Sequence, residues 1–290
     1  MSNYTSNDII NAIAAAAKAL EARKDEINRL NVFPVPDGDT GTNMSLTLAM
    51  VVDNLAKLPI GASSEDRRRA ITTGALMGAR GNSGVITSQI MRGLCEGIAD
   101  HEEFDIVAVD DAFSRAVEVA FNAVRKPVEG TILTVLRDTA TAAHKARKKK
   151  MELDEGLQFI VGESYASVQR TPELLPVLKE NGVVDAGGFG IAIFFDSFVA
   201  SLTGRAEAMV DELAFARTAA PKVEIEQIND WEGSKYKYCN EFLVNSETLD
   251  PEEALDFLQT MGDCELCVGS TPKFKVHVHS NTPDKVLAYF

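Results

Sequence analysis

The sequence predicts an all-α domain, an eight-helix antiparallel barrel, followed by a smaller α+β domain. Three observations carry this. Up to about residue 204 apolar residues recur at helical spacing between short Gly- or Pro-containing breaks. After Thr203-Gly204 the composition turns polar, and beyond it comes strand-like alternation, as in Phe274-Lys-Val-His-Val-His279. The 290 residues, 45% of them hydrophobic, suffice for two cores. The expected division is residues 1–204, a linker or domain entry over 205–235, and part of an α+β domain over 236–290.

Helices are expected at roughly 7–30, 42–57, 64–79, 83–99, 108–124, 131–149, 155–170 and 187–203. The first runs into Pro34-Val-Pro-Asp-Gly-Asp-Thr-Gly-Thr-Asn43. There Pro34 and Pro36 fix φ and keep the residues before them extended, while Gly38 and Gly41 allow sharp turning and close approach to a ligand. The second helix follows from Met44, Leu46, Leu48, Ala49, Val51, Val52 and Leu55, with Thr40 or Thr42 as N-cap. Ordinary solvated turns, such as 57–64 and 100–105, precede the third and fifth helices. In an up-and-down arrangement every second connection lies at one end, so the loops before helices 2, 4, 6 and 8 cluster. Those loops are the Asp37/Asp39 segment, Gly78-Ala-Arg-Gly-Asn-Ser-Gly84, Lys126-Pro-Val-Glu-Gly-Thr131 and Val184-Asp-Ala-Gly-Gly-Phe-Gly190. Each also reads as a plain helix break or cap. The basic run Lys145 to Lys150 closes the sixth helix, where cations suit the dipole.

Four helix starts aimed at one point offer N–H groups to phosphate oxygens, and Asp37 and Asp39 offer a divalent ion its seat between carboxylate and phosphate. This is a triphosphate site made without a P-loop, since no GxxxxGK[ST] occurs. Forty-three acids against 29 bases, a net charge of −14, argue against general affinity for nucleic acid or anionic membrane. Four cysteines make no secreted framework, and neither a signal peptide nor an apolar run of membrane length is seen, so a cytoplasmic protein is expected. The last residues, Lys285 to Phe290, lie within an apolar-periodic stretch and read as the interior of a longer protein.

In the second part, residues 236–244 read as a strand, 251–261 as a helix, and 265–268 and 274–279 as strands. His277 and His279, two apart on a strand, project from one face and with a thiolate would suit zinc. Cys264 and Cys267 compete with Cys239 as partners, but on a regular strand those two thiols point to opposite faces and cannot share an ion.

Asn31 to Met44, Gly78 to Ile86, Lys126 to Val135 and Gly182 to Gly188 closely resemble the catalytic component of bacterial fatty acid kinase. Its N-terminal domain is similar to the nucleotide-binding part of dihydroxyacetone kinase. The resemblance implies an eight-helix barrel holding ATP and two Mg2+ ions at one rim. Asp37 and Asp39 would ligate Mg2+. Thr40, Gly41, Thr42 and Asn43 would line the phosphates, with Asn82 and Ser83 at the next loop. Gly130, Thr131, Asp185, Ala186, Gly187 and Gly188 would close the nucleotide site. The dihydroxyacetone kinase relative has a third metal-binding Asp a few residues upstream of the pair; Asn31 stands there in this chain and is the candidate for that oxygen. Arg80, the cation inside these loops, is the candidate for stabilising the transferring group, with a surface salt bridge as its plainer role. The resemblance also implies zinc on Cys239, His277 and His279, with an open or exogenous fourth position and Cys264 and Cys267 as local substitutions.

The implied reaction transfers the γ-phosphoryl group of ATP to the carboxylate of a fatty acid presented by a separate acyl-binding protein. A carboxylate is already ionised at neutral pH, which agrees with the absence of an obvious catalytic base. Two other readings stand beside it: phosphoryl transfer to a small hydroxylated ketone, and a nucleotide- or zinc-binding regulatory module without catalysis. A homodimer is among the expectations.

Overall fold

The structure, a computed structural model, describes residues 4–205 and 235–290. The expected linker, 205–235, lies outside the described residues except at its two ends. The first part contains α1 (Ser6–Ala22), α2 (Lys24–Arg29), α3 (Thr40–Ala56), α4 (Ser64–Gly78) and α5 (Gly81–Gly97). It continues with α6 (Ile106–Ala123), α7 (Ile132–Lys148), α8 (Leu153–Leu174), α9 (Pro176–Asn181) and α10 (Ala186–Thr203). The eight long helices form the expected antiparallel barrel. Each packs on its neighbour in order, and α10 packs on both α8 and α1, which closes the ring.

The sequence accounts for these helices locally. On α1, Ala12, Ile13, Ala16, Ala17 and Leu20 are buried along one stripe, and Thr5 and Asp8 form a capping box at its start. Ser63 with Asp66 does the same for α4, and Asp105 caps α6 through the N–H groups of Val107 and Ala108. In contrast, α10 is apolar on nearly every side because it lies against the core of the ring. Among the described residues it is the one helix long and apolar enough to cross a membrane, and 72% of it is buried inside the protein.

Two boundaries depart from expectation. The helix expected over 7–30 is broken at Arg23 (φ −114°, ψ 9°), which separates α1 from α2. Neither Gly nor Pro marks that break. The helix expected over 155–170 runs on to Leu174 and is followed by α9.

The second part contains β1 (Tyr238–Asn245), α11 (Pro251–Met261), β2 (Gly262–Ser270), β3 (Lys273–Ser280) and α12 (Pro283–Tyr289). The strands form one antiparallel sheet in the order β1-β3-β2. The strand expected over 265–268 is nine residues long because β3 supplies ladder partners on both sides of that core. Cys267, Val276 and Val278 pack with Ala254, Leu258 and Val286 in the domain's own core. The other face lies against the helical domain, where Leu266 and Val268 meet Ala79, Val85 and Ala123. Arg125 pairs with Asp256 at 2.6 Å, and Arg92 donates to the Gly269 carbonyl at 3.4 Å. The sheet is therefore seated directly beside the starts of α3 and α5.

Candidate functional site

The break at Arg23 has a consequence at the barrel rim. It turns α2 so that Asn28 Oδ1 accepts from the N–H groups of Gly41 (2.8 Å) and Thr42 (3.1 Å). Asn31 Oδ1 accepts from Thr40 Oγ1 (2.8 Å) and from the N–H groups of Asp39 and Thr40. Two asparagines thus satisfy the start of α3, whose own N-cap residue, Asp39, makes no capping bond. The expectation that Asn31 supplies a metal oxygen meets a conflict here, because a carbonyl oxygen already taken by three donors has no lone pair left for an ion. Asn31 holds the loop in shape instead.

Asp37 and Asp39 face one another at that rim. Burial, then the charge of Asp39, pushes the Asp37 carboxyl up to about 7. Two carboxylates this close are stable together only if a proton or a cation sits between them. The neighbouring backbone is dense. A Cβ on Gly41 would lie 2.2 Å from the Lys24 carbonyl oxygen, so only glycine fits. Gly81 has φ +57°, and a Cβ there would meet Asn43 Nδ2 at 2.4 Å. The Asn43 side chain therefore packs directly against the second glycine loop.

The helix starts at this rim draw carboxylates. Asp185 caps α10 by accepting from Gly188 N–H at 2.6 Å and also takes the N–H of Ile132, which joins the starts of α7 and α10. Its burial raises it to about 7. Glu241 of β1 approaches the N–H of Gly81 at 3.5 Å, at the start of α5, and pairs with the buried Lys275 at 2.6 Å. Anions belong here because these N–H groups carry the positive end of each helix dipole.

All of this opens onto one cavity of about 760 Å³ that lies between the two domains. Of the residues expected from sequence, Asn31, Asp37, Asp39, Thr40, Asn82 and Ser83 line it, as do Thr131, Asp185 and Gly187. Gly41, Thr42, Asn43, Gly130, Ala186 and Gly188 stand behind that wall and shape it. Arg80 departs from expectation: it does not line the cavity, and its guanidinium donates to the carbonyls of Met77 (3.2 Å) and Ala79 (2.7 Å) at the end of α4. Both are carbonyls at a helix end, which lack partners within the helix. Among the described residues, Arg125, Lys126 and Lys235 are the cations on the cavity wall.

The opposite wall carries Cys239, His277 and His279, whose ligand atoms lie within 4.8 Å of one another. Cross-strand pairing of Cys239 with His279, and of Glu241 with His277, brings them together. His277 is 1% exposed. Burial, then the neighbouring His279 and Lys275, holds it down at about 3, so its ring stays neutral and able to ligate. Cys239 is raised to about 11 by desolvation and by Glu241, Asp39 and Asp37. The thiol and the aspartate pair line the same cavity. The donor set of one sulfur and two imidazoles suits zinc.

Sequence reasoning missed Asn28, Glu241 and Lys275. Asn28 and Glu241 act from other elements on a helix start, which no local pattern reveals.

A closed ring of eight helices with glycine-bearing starts gathered at one rim, joined to a small three-stranded domain, defines an all-α barrel fold with an α+β companion domain. It is similar to the dihydroxyacetone kinase of C. freundii solved in complex with AMP-PNP and Mg2+, with a TM-score of 0.51 at 16% identity, covering 69% of this chain and 34% of that one. The native form of that enzyme gives a TM-score of 0.50 at 15% identity, covering 69% and 35%. The chain belongs to the DAK2 domain family, which matches residues 34–200, and the middle domain of the FakA-like fatty acid kinase family matches residues 235–290. Uncharacterized proteins of two Staphylococcus aureus strains, bovine RF122 and MRSA252, are each 39% identical over 286 residues. The match takes in 96% of this chain, which spans 51% of the length of each relative.

Proposed function

We propose that this chain is the nucleotide-binding part of an ATP-dependent kinase that phosphorylates the carboxylate of a fatty acid held by an acyl-binding partner protein. The observation that carries the reading is the Asp37/Asp39 pair opening onto a cavity shared with the middle domain. The match to a FakA-like fatty acid kinase middle domain supports the choice of acceptor.

Asp37 and Asp39 would hold Mg2+, which would supply neutralisation of the phosphate charge. Thr40, Asn82, Ser83 and Thr131 would meet the phosphates at the cavity wall, while Asn28, Asn31, Asn43 and Gly81 keep the loops in place. An acceptor carboxylate oxygen attacks the γ-phosphorus, the bond to the β,γ-bridging oxygen breaks, and acyl phosphate and ADP result. No proton is transferred, so the residues have only to align the reactants and exclude water. Cys239, His277 and His279 would hold zinc on the facing wall. The division of the chain near residues 204 and 236 and a cytoplasmic location belong to the same proposal.

Incubation of the whole protein with ATP, Mg2+ and either a fatty-acid-loaded carrier or dihydroxyacetone tests the acceptor. ADP should form with the loaded carrier. Formation with dihydroxyacetone alone would move the assignment to a small-molecule kinase, and formation with neither would leave a regulatory module.

A further inference from the structure

The loop that joins α6 to α7 presents a cation with which no described residue pairs. Of the three cations on the cavity wall, two are engaged. Arg125 is paired with Asp256 of α11 at 2.6 Å, and the Lys235 ammonium lies over its neighbour Tyr236, 5.1 Å from the ring centroid. Lys126 lines the cavity and, among the described residues, forms no ion pair and no hydrogen bond.

The loop itself keeps Lys126 unpaired. Pro127 holds the residue before it in extended backbone. The one acid of the loop, Glu129, is turned away to α7, where it accepts from Arg137 at 2.5 and 2.9 Å and from Thr134 Oγ1 at 2.8 Å. Thr131 Oγ1 donates to the Val128 carbonyl at 2.8 Å, and the Gly130 N–H to Thr134 Oγ1 at 2.9 Å. Arg125 thus fixes one side of the loop to the middle domain and Glu129 fixes the other to α7, with Lys126 between the two anchors.

The cavity has a use for such a charge. Asp37, Asp39, Asp185, Asp263 and Glu265 line it, in a chain of net charge −14, so a polyanion that enters meets acids on several sides. Arg80, the cation expected to meet the transferring group, is engaged by the carbonyls of Met77 and Ala79.

We propose that Lys126 binds the phosphate chain of the nucleotide from the wall formed by the α6–α7 loop, taking the place expected of Arg80. The inference rests on the reading that this cavity takes ATP with Mg2+, and it adds a protein cation to that site. A lysine ammonium is a compact point charge with three donors, which suits it to several phosphate oxygens at once.

Calorimetric titration of ATP with Mg2+ into the whole protein and into its Lys126→Met and Lys126→Arg variants tests this. Lys126 is exposed, so the urea midpoint of both variants should match that of the unsubstituted protein. Lys126→Met should weaken binding about tenfold or more, as expected for loss of a hydrogen bond to a charged group, while Lys126→Arg should stay within about threefold of the unsubstituted protein. Unchanged affinity in Lys126→Met, or equal weakening in both variants, would overturn the role of Lys126 and leave the nucleotide reading standing. An unsubstituted protein that does not bind ATP in the presence of Mg2+ would overturn both.

Discussion

Asp37 is the single residue on which the proposed Mg2+ site most depends. Its carboxyl, raised from 3.8 to about 7, keeps a proton between pH 4 and 7 that the unfolded chain has released. Over that window the metal-free fold therefore loses stability as pH rises, and ionisation through pH 7 leaves two facing carboxylates uncompensated. A divalent ion removes the repulsion and displaces the proton. Binding of Mg2+ at pH 6 should release about one proton, and binding well above pH 7 should release none. Calorimetry at pH 6 in two buffers of different ionisation heat reads this directly: the apparent enthalpies should differ by about one proton's worth of buffer heat, and equal enthalpies would remove Asp37 from the metal site. At the same scale, Gly41 and Gly81 were recognisable in the sequence as points of close approach. What they approach, Lys24 and Asn43, was not, because each contact joins residues that are distant in the chain.

At the scale of elements, the helix starts at the rim are the organising device, and the sequence showed where they are better than how they are satisfied. Periodicity located all eight long helices because each buries a continuous stripe. It overlooked the break at Arg23, which no local breaker residue marks and which sets Asn28 against the start of α3. The bulge before Leu266 was equally hidden, since it depends on the register chosen with β3. Helix α10 depends on a different kind of anchor. Asp196 is fully buried within it, paired with Arg205 at 2.8 Å and accepting from the Tyr165 hydroxyl at 3.1 Å. Arg205→Ala leaves that carboxylate without a counter-charge and should cost about 3 kcal/mol, the lower end of the range for a broken buried pair because the guanidinium is partly exposed. The urea midpoint checks this, and a shift within error would show that Tyr165 alone suffices.

For the whole molecule, the decisive feature is that two domains build one cavity. Parity along the barrel predicted that four loops share an end, and alternation in β3 predicted that His277 and His279 share a face. Nothing local indicated that the two would confront each other. That relation comes from the packing of Leu266 and Val268 on Ala79, Val85 and Ala123, with Arg125–Asp256 at its margin. The net charge of −14 makes the fit of an anionic nucleotide depend all the more on cations and helix starts gathered at this rim. The central claim, that the aspartate pair binds nucleotide through Mg2+, is tested most directly by calorimetric titration of ATP with and without Mg2+ into the chain and into its Asp37→Ala, Asp39→Ala double variant. Binding should require Mg2+ and be lost in the variant; equal affinity in the variant, or full affinity without the ion, would contradict it.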